Sequence, residues 1–256
     1  MIRSRIIPCL LLKGKGLVKT IKFANPVYLG DPLNTINIFN KKMVDEIIIL
    51  DIEASKVGRK PNFELIQRIS TVCFSPLTYG GGVTSLEDAE KLFSIGIEKI
   101  SLNSTAFKNP ELISKLAAKY GNQSVVVSVN INKDFWGKRH IVTNSMEKIP
   151  MKTDSISSEM KAFEELGAGE ILINDVNRDG TMKGYDVELI SSITSKVDVP
   201  VIACGGCGSY GDIKDVIFNG GAGAAAAGSI FVFNGPRKAV LISYPDRLTI
   251  KKIINE

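Results

Sequence analysis

Eight short apolar runs, amphipathic stretches between them and an internal repeat predict an α/β fold: a (β/α)8 TIM barrel with a half-barrel internal repeat, as one domain over residues 1–256. The runs are Arg5–Leu12, Glu46–Asp51, Cys73–Tyr79, Lys99–Asn103, Ser124–Ile131, Glu170–Asn174, Val199–Cys204 and Ala222–Gly228. Most are rich in Ile and Val and apolar on both faces, as parallel strands are when both sides are covered. Helix-like segments fall at Pro32–Val44, Asn62–Val72, Ser85–Gly96, Pro110–Tyr120, Asp154–Leu166, Val187–Val197 and Ser209–Asn219. Ser85, with Glu87 and Asp88 in the next turn, reads as a capped start. Gly96 and Gly220 stand where helices stop. The competing arrangement is an open doubly wound sheet. It would place a dinucleotide turn after the first strand, where only Leu12-Lys13-Gly14-Lys15-Gly16 stands.

The repeat matches the third and fourth runs to the seventh and eighth. Tyr79-Gly80-Gly81-Gly82-Val83-Thr84-Ser85 parallels Ala203-Cys204-Gly205-Gly206-Cys207-Gly208-Ser209, followed by Asp88 or Asp212. The next strand ends in Asn103-Ser104 or in Gly228-Ser229. Two similar half-barrels place two similar sites on opposite sides of one barrel mouth.

Composition narrows the classes. At 44% hydrophobic residues the chain can bury a core, which argues against disorder. Four cysteines in 256 residues do not make a disulfide scaffold. No apolar run approaches the length of a membrane span, and Met1–Pro8 has too short an apolar stretch for a secretory leader. The expected setting is cytoplasmic, with reduced thiols. A net charge of +5 suits anionic small molecules, while the scattered basic residues give no nucleic-acid signature. No nucleic-acid or membrane partner is expected.

Glycines directly after a strand let backbone N–H groups approach a phosphate. A small hydroxyl or amide residue after the next strand adds a donor. The candidates are Gly81, Gly82, Asn103 and Ser104 in one half, and Gly205, Gly206, Gly228 and Ser229 in the other. Asp179 and Gly180, in Asn177–Thr181, extend the second. The alternative is that these glycines only make tight turns. Cys204 and Cys207 have CxxC spacing, but Cys9, Cys73 and the single histidine, His140, do not complete a four-ligand zinc site. No metal site is expected. One histidine leaves acid–base work to carboxylates such as Asp51 and Asp175, at strand C-termini where barrel catalysis sits. Asp51 can equally be a structural carboxylate bonded to its loop. At the other end, Arg5, Glu46, Lys99 and Glu170 stand at strand starts, where two cations and two anions can close a salt-bridge ring that serves stability.

Together these residues resemble the HisF family, the cyclase subunit of imidazole glycerol phosphate synthase, over about residues 1–234. The resemblance rests on Arg5–Leu10, Gly30-Asp31-Pro32, Leu50–Ser55, Gly80-Gly81-Gly82, Lys108–Leu112, Glu165–Ile171, Arg178-Asp179-Gly180-Thr181 and Gly184-Tyr185-Asp186. It implies a barrel paired as a heterodimer with a HisH-type glutaminase, with no cofactor. Ammonia from that partner would enter through a gate of Arg5, Glu46, Lys99 and Glu170 and meet a phosphate-bearing small molecule at the top. The family's acid–base aspartates, at the ends of the first and fifth strands, fall on Leu11 and Asn130, neither of which can act as a carboxylate base. Residues Asn234–Glu256 do not resemble the family closely. Leu10-Leu11-Leu12 and Asn25–Asp31 resemble divergent copies linked to surface-polysaccharide genes. In those, ammonia converts an acetamido group of a sugar to an acetamidino group with a third, amidotransferase-type protein. The other expectations are a working cyclase of histidine biosynthesis and a non-catalytic scaffold that activates a glutaminase.

Overall fold

The computed structural model describes residues 4–255. Met1–Arg3 of the basic start and Glu256, the ends of the expected 1–256 domain, lie outside the described residues. Eight parallel strands close a barrel. They are β1 (Arg5–Lys13), β4 (Ile47–Asp51), β5 (Leu77–Gly80), β6 (Lys99–Leu102), β7 (Val125–Lys133), β9 (Glu170–Asp175), β10 (Val201–Cys204) and β11 (Ala224–Ala227). They neighbour one another in chain order, and β11 pairs with β1 from Arg5↔Ala224 to Pro8↔Ala227.

Inward-facing side chains alternate along each strand, as a pleated strand requires. On β1 they are Arg5, Ile7, Cys9 and Leu11. Ile7, Ile48, Val126, Leu172 and Ile202 fill the barrel with Ala224 and Ala226. The outward faces join the helices in a second, larger core. Helix α2 (Phe63–Val72) shows why the layers adhere: it buries Leu65, Ile66 and Ile69 on one face. Truncating such a residue to Ala costs about 2–5 kcal/mol. Local chemistry fixes the ends. Asp31 caps α1 (Pro32–Lys42) by accepting from Asn34 N, and Met43 ends it in the left-handed region. Ser209 and Asp212 form a capping box at α8 (Tyr210–Phe218).

Several boundaries differ from the sequence reading. Cys73 is not in a strand but caps α2, and the third barrel strand starts only at Leu77. Pro76, which has no N–H, precedes it, and Phe74 is exposed. The run through Cys73 joins a helix end to a loop.

Residues 17–31, to which the sequence reading assigns no element, form most of a hairpin of β2 (Gly16–Ile21) and β3 (Ala24–Gly30). Its turn uses left-handed Lys22 and Phe23. Strand β3 is mostly exposed, so it lacks the apolar signal of a barrel strand. A second hairpin extends β7 through β8 (Arg139–Val142), which carries His140. Short helices α4 (Ser104–Lys108) and α9 (Ser229–Val232) follow the fourth and eighth barrel strands, and α10 (Arg247–Asn255) packs on α8.

Candidate functional site

Two sites lie at opposite ends of the barrel axis. At the base, the four expected charges form one closed ring. Arg5 donates to Glu46 Oε2 and, at 2.6 Å, to Glu170 Oε1. Lys99 Nζ reaches Glu46 Oε2 at 2.9 Å and Glu170 Oε2 at 3.0 Å. Each cation therefore bridges both carboxylates. Thr78 Oγ1 adds a 2.8 Å bond to Glu46 Oε1. Burial lowers the pKa of Arg5, but Glu170 and Glu46 outweigh it and the net shift is upward, so the guanidinium stays charged. Above the ring lies the apolar layer of Ile7, Ile48, Val126, Leu172 and Ile202.

At the mouth, a pocket brings together Leu11, Asn130, Asp51 and every expected phosphate-site residue, and it reaches down to Cys9, Ser101, Ser128 and Cys204. The two halves match in detail. Gly81 and Gly205 have φ of +119° and +93°, and an added Cβ would lie 2.4 Å from Asp51 O or 2.5 Å from Asp175 O. Only glycine fits either place. Asp51 Oδ1 accepts from Glu53 N and Ala54 N, and Asp175 Oδ1 from Asn177 N and Arg178 N. Ser85 and Ser209 cap their helices by accepting from Asp88 N and Asp212 N.

The carboxylates differ in reach. Both oxygens of Asp51 also take Arg59 Nη2, at 3.1 and 2.8 Å, so its lone pairs go to its own loop. Asp175 is held above the usual carboxylate range, first by burial and then by Asp186. Asp179 is grouped by sequence with the phosphate positions. Its carboxylate instead accepts from Lys19 Nζ at 2.8 Å and Thr20 Oγ1 at 3.1 Å. An anion so placed offers a phosphate no donor; it clamps the β2–β3 hairpin onto the loop after β9. Asn103 Nδ2 donates to Ser128 O at 2.7 Å. Gly228 lies against the Lys19 stem, with an added Cβ 3.2 Å from Lys19 Cε.

Leu11 stands at the top of β1, in register with Leu50. Asn130 is buried and donates to Asn144 Oδ1 at 2.9 Å, and its strand partner is Asn174, whose Oδ1 is buried without a partner. The centre of the mouth is thus neutral. Cys204 is held well above the usual thiol range, first by its contact with Cys9 and then by burial. Burial pushes Cys207 up to about 12. Among the described residues no group of three or more His, Cys, Asp or Glu is placed to hold a metal. No helix among them is long and apolar enough to cross a membrane.

Sequence reasoning misses Lys19, Arg59, Asn144 and Asn174. Lys19 left a signal, a lysine inside the apolar run Leu17–Ile21. Asn144 left none, because a hairpin it does not predict brings it to Asn130.

Comparison with known proteins follows the same geometry. The family model described as histidine biosynthesis protein matches residues 5–236. A Pseudomonas aeruginosa protein provisionally named imidazole glycerol phosphate synthase subunit hisF2 is 50% identical over 250 residues, 96% of this chain and 97% of that protein. A Leptospira interrogans protein provisionally named subunit HisF of the same synthase is 46% identical over 249 residues, again 96% and 97%. The imidazole glycerol phosphate synthase subunit HisF of Chlorobium phaeovibrioides is 43% identical over 233 residues, 91% of this chain and 92% of that protein.

Proposed function

The chain belongs to the HisF family of imidazole glycerol phosphate synthase subunits, and from that premise we propose that it conducts ammonia from a glutaminase partner to a nitrogen acceptor at its mouth without performing the cyclase reaction. The observation that carries the proposal is the contrast between a closed ionic ring at the base and a mouth lined by Leu11 and Asn130, where the family resemblance expects aspartates. Loss of one general acid or base costs about 10²–10⁴-fold in rate, and here both are absent.

The residues divide as follows. Arg5, Glu46, Lys99 and Glu170 gate entry. Lys99 moves aside, and Arg5 keeps the two glutamates bridged. The apolar layer above selects neutral ammonia, because an ammonium ion would lose its hydration with no counter-charge there. Asp51 positions its loop through Arg59, Glu53 N and Ala54 N and transfers no proton. Gly81, Gly82, Asn103, Ser104, Gly180, Gly205, Gly206, Gly228 and Ser229 shape two phosphate cradles, and Asp179 holds Lys19 beside the second. The whole chain acts as one cytoplasmic barrel domain in a heterodimer with a HisH-type glutaminase. The acceptor is a surface-polysaccharide sugar whose acetamido group becomes an acetamidino group, with a third, amidotransferase-type protein. The provisionally named relatives match over 249–250 residues and the Chlorobium subunit over 233, which supports a likeness to the former; the sugar acceptor rests on the resemblance of Leu10-Leu11-Leu12 and Asn25–Asp31 alone.

Turnover tests the reading directly. The purified protein receives the cyclase substrate with excess ammonium at alkaline pH, which bypasses the glutaminase. No consumption is expected; consumption at an ordinary enzyme rate sinks the proposal. A second measurement separates conduction from scaffolding. With the glutaminase bound, Lys99→Ala should change the nitrogen delivered per glutamine hydrolysed. An unchanged ratio supports a scaffold instead.

A further inference from the structure

We infer that Asn174 makes the mouth select its acceptor through an uncharged secondary amide, the acetamido group of a sugar. The inference rests on the proposed transfer of ammonia to an acceptor at the mouth and names the residue that reads that acceptor. Three asparagines stand side by side on the pocket wall: Asn144 after β8, Asn130 on β7 and Asn174 on β9. Asn130 is in register with Val142 of β8 on one edge of its strand and with Asn174 on the other. Asn144 and Asn174 therefore flank it from opposite sides. Asn174 is 7% exposed, and its place two residues above Leu172 on β9 turns it toward the barrel axis.

This wall leaves one oxygen unmatched. Asn174 Oδ1 is buried and meets no donor of the protein. Both strand neighbours turn their donors elsewhere. Asn130 Nδ2 goes to Asn144 Oδ1 at 2.9 Å, and Cys204, in register with Asn174 on β10, has its thiol against Cys9. A buried acceptor in this state is costly, and packing gives no reason to keep it. Gly205 lines the same pocket without a side chain, and an added Cβ there would press on Asn174 Oδ1 at 3.0 Å. The unmatched oxygen selects a ligand chemistry. A phosphate brings only acceptor oxygens to another acceptor, and its place is in the glycine cradles. A cation finds no free carboxylate here, because Asp51 is held by Arg59 and Asp179 by Lys19. A hydroxyl satisfies the oxygen alone. A secondary amide brings a fixed donor and a fixed acceptor that point in opposite directions. Its N–H meets Asn174 Oδ1. Its C=O is met from the Asn144 side, where that residue has given Oδ1 to Asn130 and keeps Nδ2 to donate.

The test titrates two probes into the full chain, N-acetylglucosamine 1-phosphate and glucose 1-phosphate, which share the phosphate and differ in the amide. The wild type should bind the acetamido probe at least about tenfold more tightly. Asn174→Leu and the smaller Asn174→Ala should both lose that preference while binding glucose 1-phosphate as the wild type does. The melting temperature of the ligand-free chain gives a second readout that a merely structural asparagine would not move upward. Asn174→Leu puts an apolar group in place of the unmatched oxygen and should raise it by about 2–4 °C.

Probes bound equally by the wild type, or not bound at all, overturn the amide assignment. A preference that survives in both variants overturns the role of Asn174. A melting temperature that falls in both variants shows that the oxygen already has a partner in the free chain, such as a held water, and overturns the selection by an unmatched acceptor. The conduction reading fails separately. Turnover of the cyclase substrate at an ordinary enzyme rate overturns it, whereas equal binding of the two probes overturns the amide assignment and leaves conduction standing.

Discussion

The base and the mouth of this barrel are built from the same eight strands and solve opposite problems. At the base, four charges are set so that each meets two opposite partners, and no carboxylate of the ring is left over. At the mouth, the charges are spent on holding loops in place, Asp51 on Arg59 of its own loop and Asp179 on Lys19 of the β2–β3 hairpin, and the centre is apolar or amide. Charge is thus concentrated in mutual pairs at the base, while the centre of the mouth between Leu11 and Asn130 carries none.

The largest break in that contrast would come from restoring charge to the mouth. Leu11→Asp with Asn130→Asp should raise turnover of the cyclase substrate by about 10²–10⁴-fold over the unaltered chain. No rise, in a variant that still melts cooperatively, would mean that more than the acid–base pair has been lost. Removing charge from the base comes next. Glu46→Ala removes the acceptor shared by Arg5, Lys99 and Thr78, leaves both cations on Glu170 alone, and should cost about 2–4 kcal/mol in urea denaturation. A cost below 1 kcal/mol would show that water reaches the ring freely.

A smaller effect is expected from the mouth's backbone. Gly205→Ala forces a side chain into a positive-φ position against Asp175 O and should destabilise by at least about 1–3 kcal/mol. Gly14→Ala, at φ +61° but with nothing within 4 Å, should cost only the left-handed strain of about 1–2 kcal/mol, less than Gly205→Ala, which adds the clash. Equal costs would remove the argument that the turn after β10 needs its glycine.

The smallest effect is a pH slope. The carboxyl of Asp175 is raised in the folded chain, so the native state holds its proton longer than the unfolded state. Stability from this group is present in acid and is lost as pH rises through the raised value. Asp175→Asn keeps an acceptor for Asn177 N and Arg178 N and should flatten that slope in melting curves above the usual carboxylate range. An unchanged slope would place its origin elsewhere.

How much of the site was legible depended on how local its parts are. The ring was legible because charged residues at strand starts break otherwise apolar runs, and strand order alone brings them to one end. The matched glycine turns were legible because a glycine pair after a strand repeats in both halves. Asp51 stood open between two roles in the sequence. Its role turns on Arg59, eight residues on, whose reach depends on how the loop folds. The ion pair of Asp179 was hidden for a similar reason: its partner, Lys19, is 160 residues away in a hairpin with too little apolar alternation to be seen.

The sequence by itself determined the barrel, its half-repeat and the uncharged residues Leu11 and Asn130 at two strand tops, because periodicity, glycine and side-chain chemistry are properties of short stretches. Only the tertiary structure decided which charges are already spent and that two hairpins wall the mouth. An ion pair or an amide bond across the barrel exists only when distant strands meet in one register.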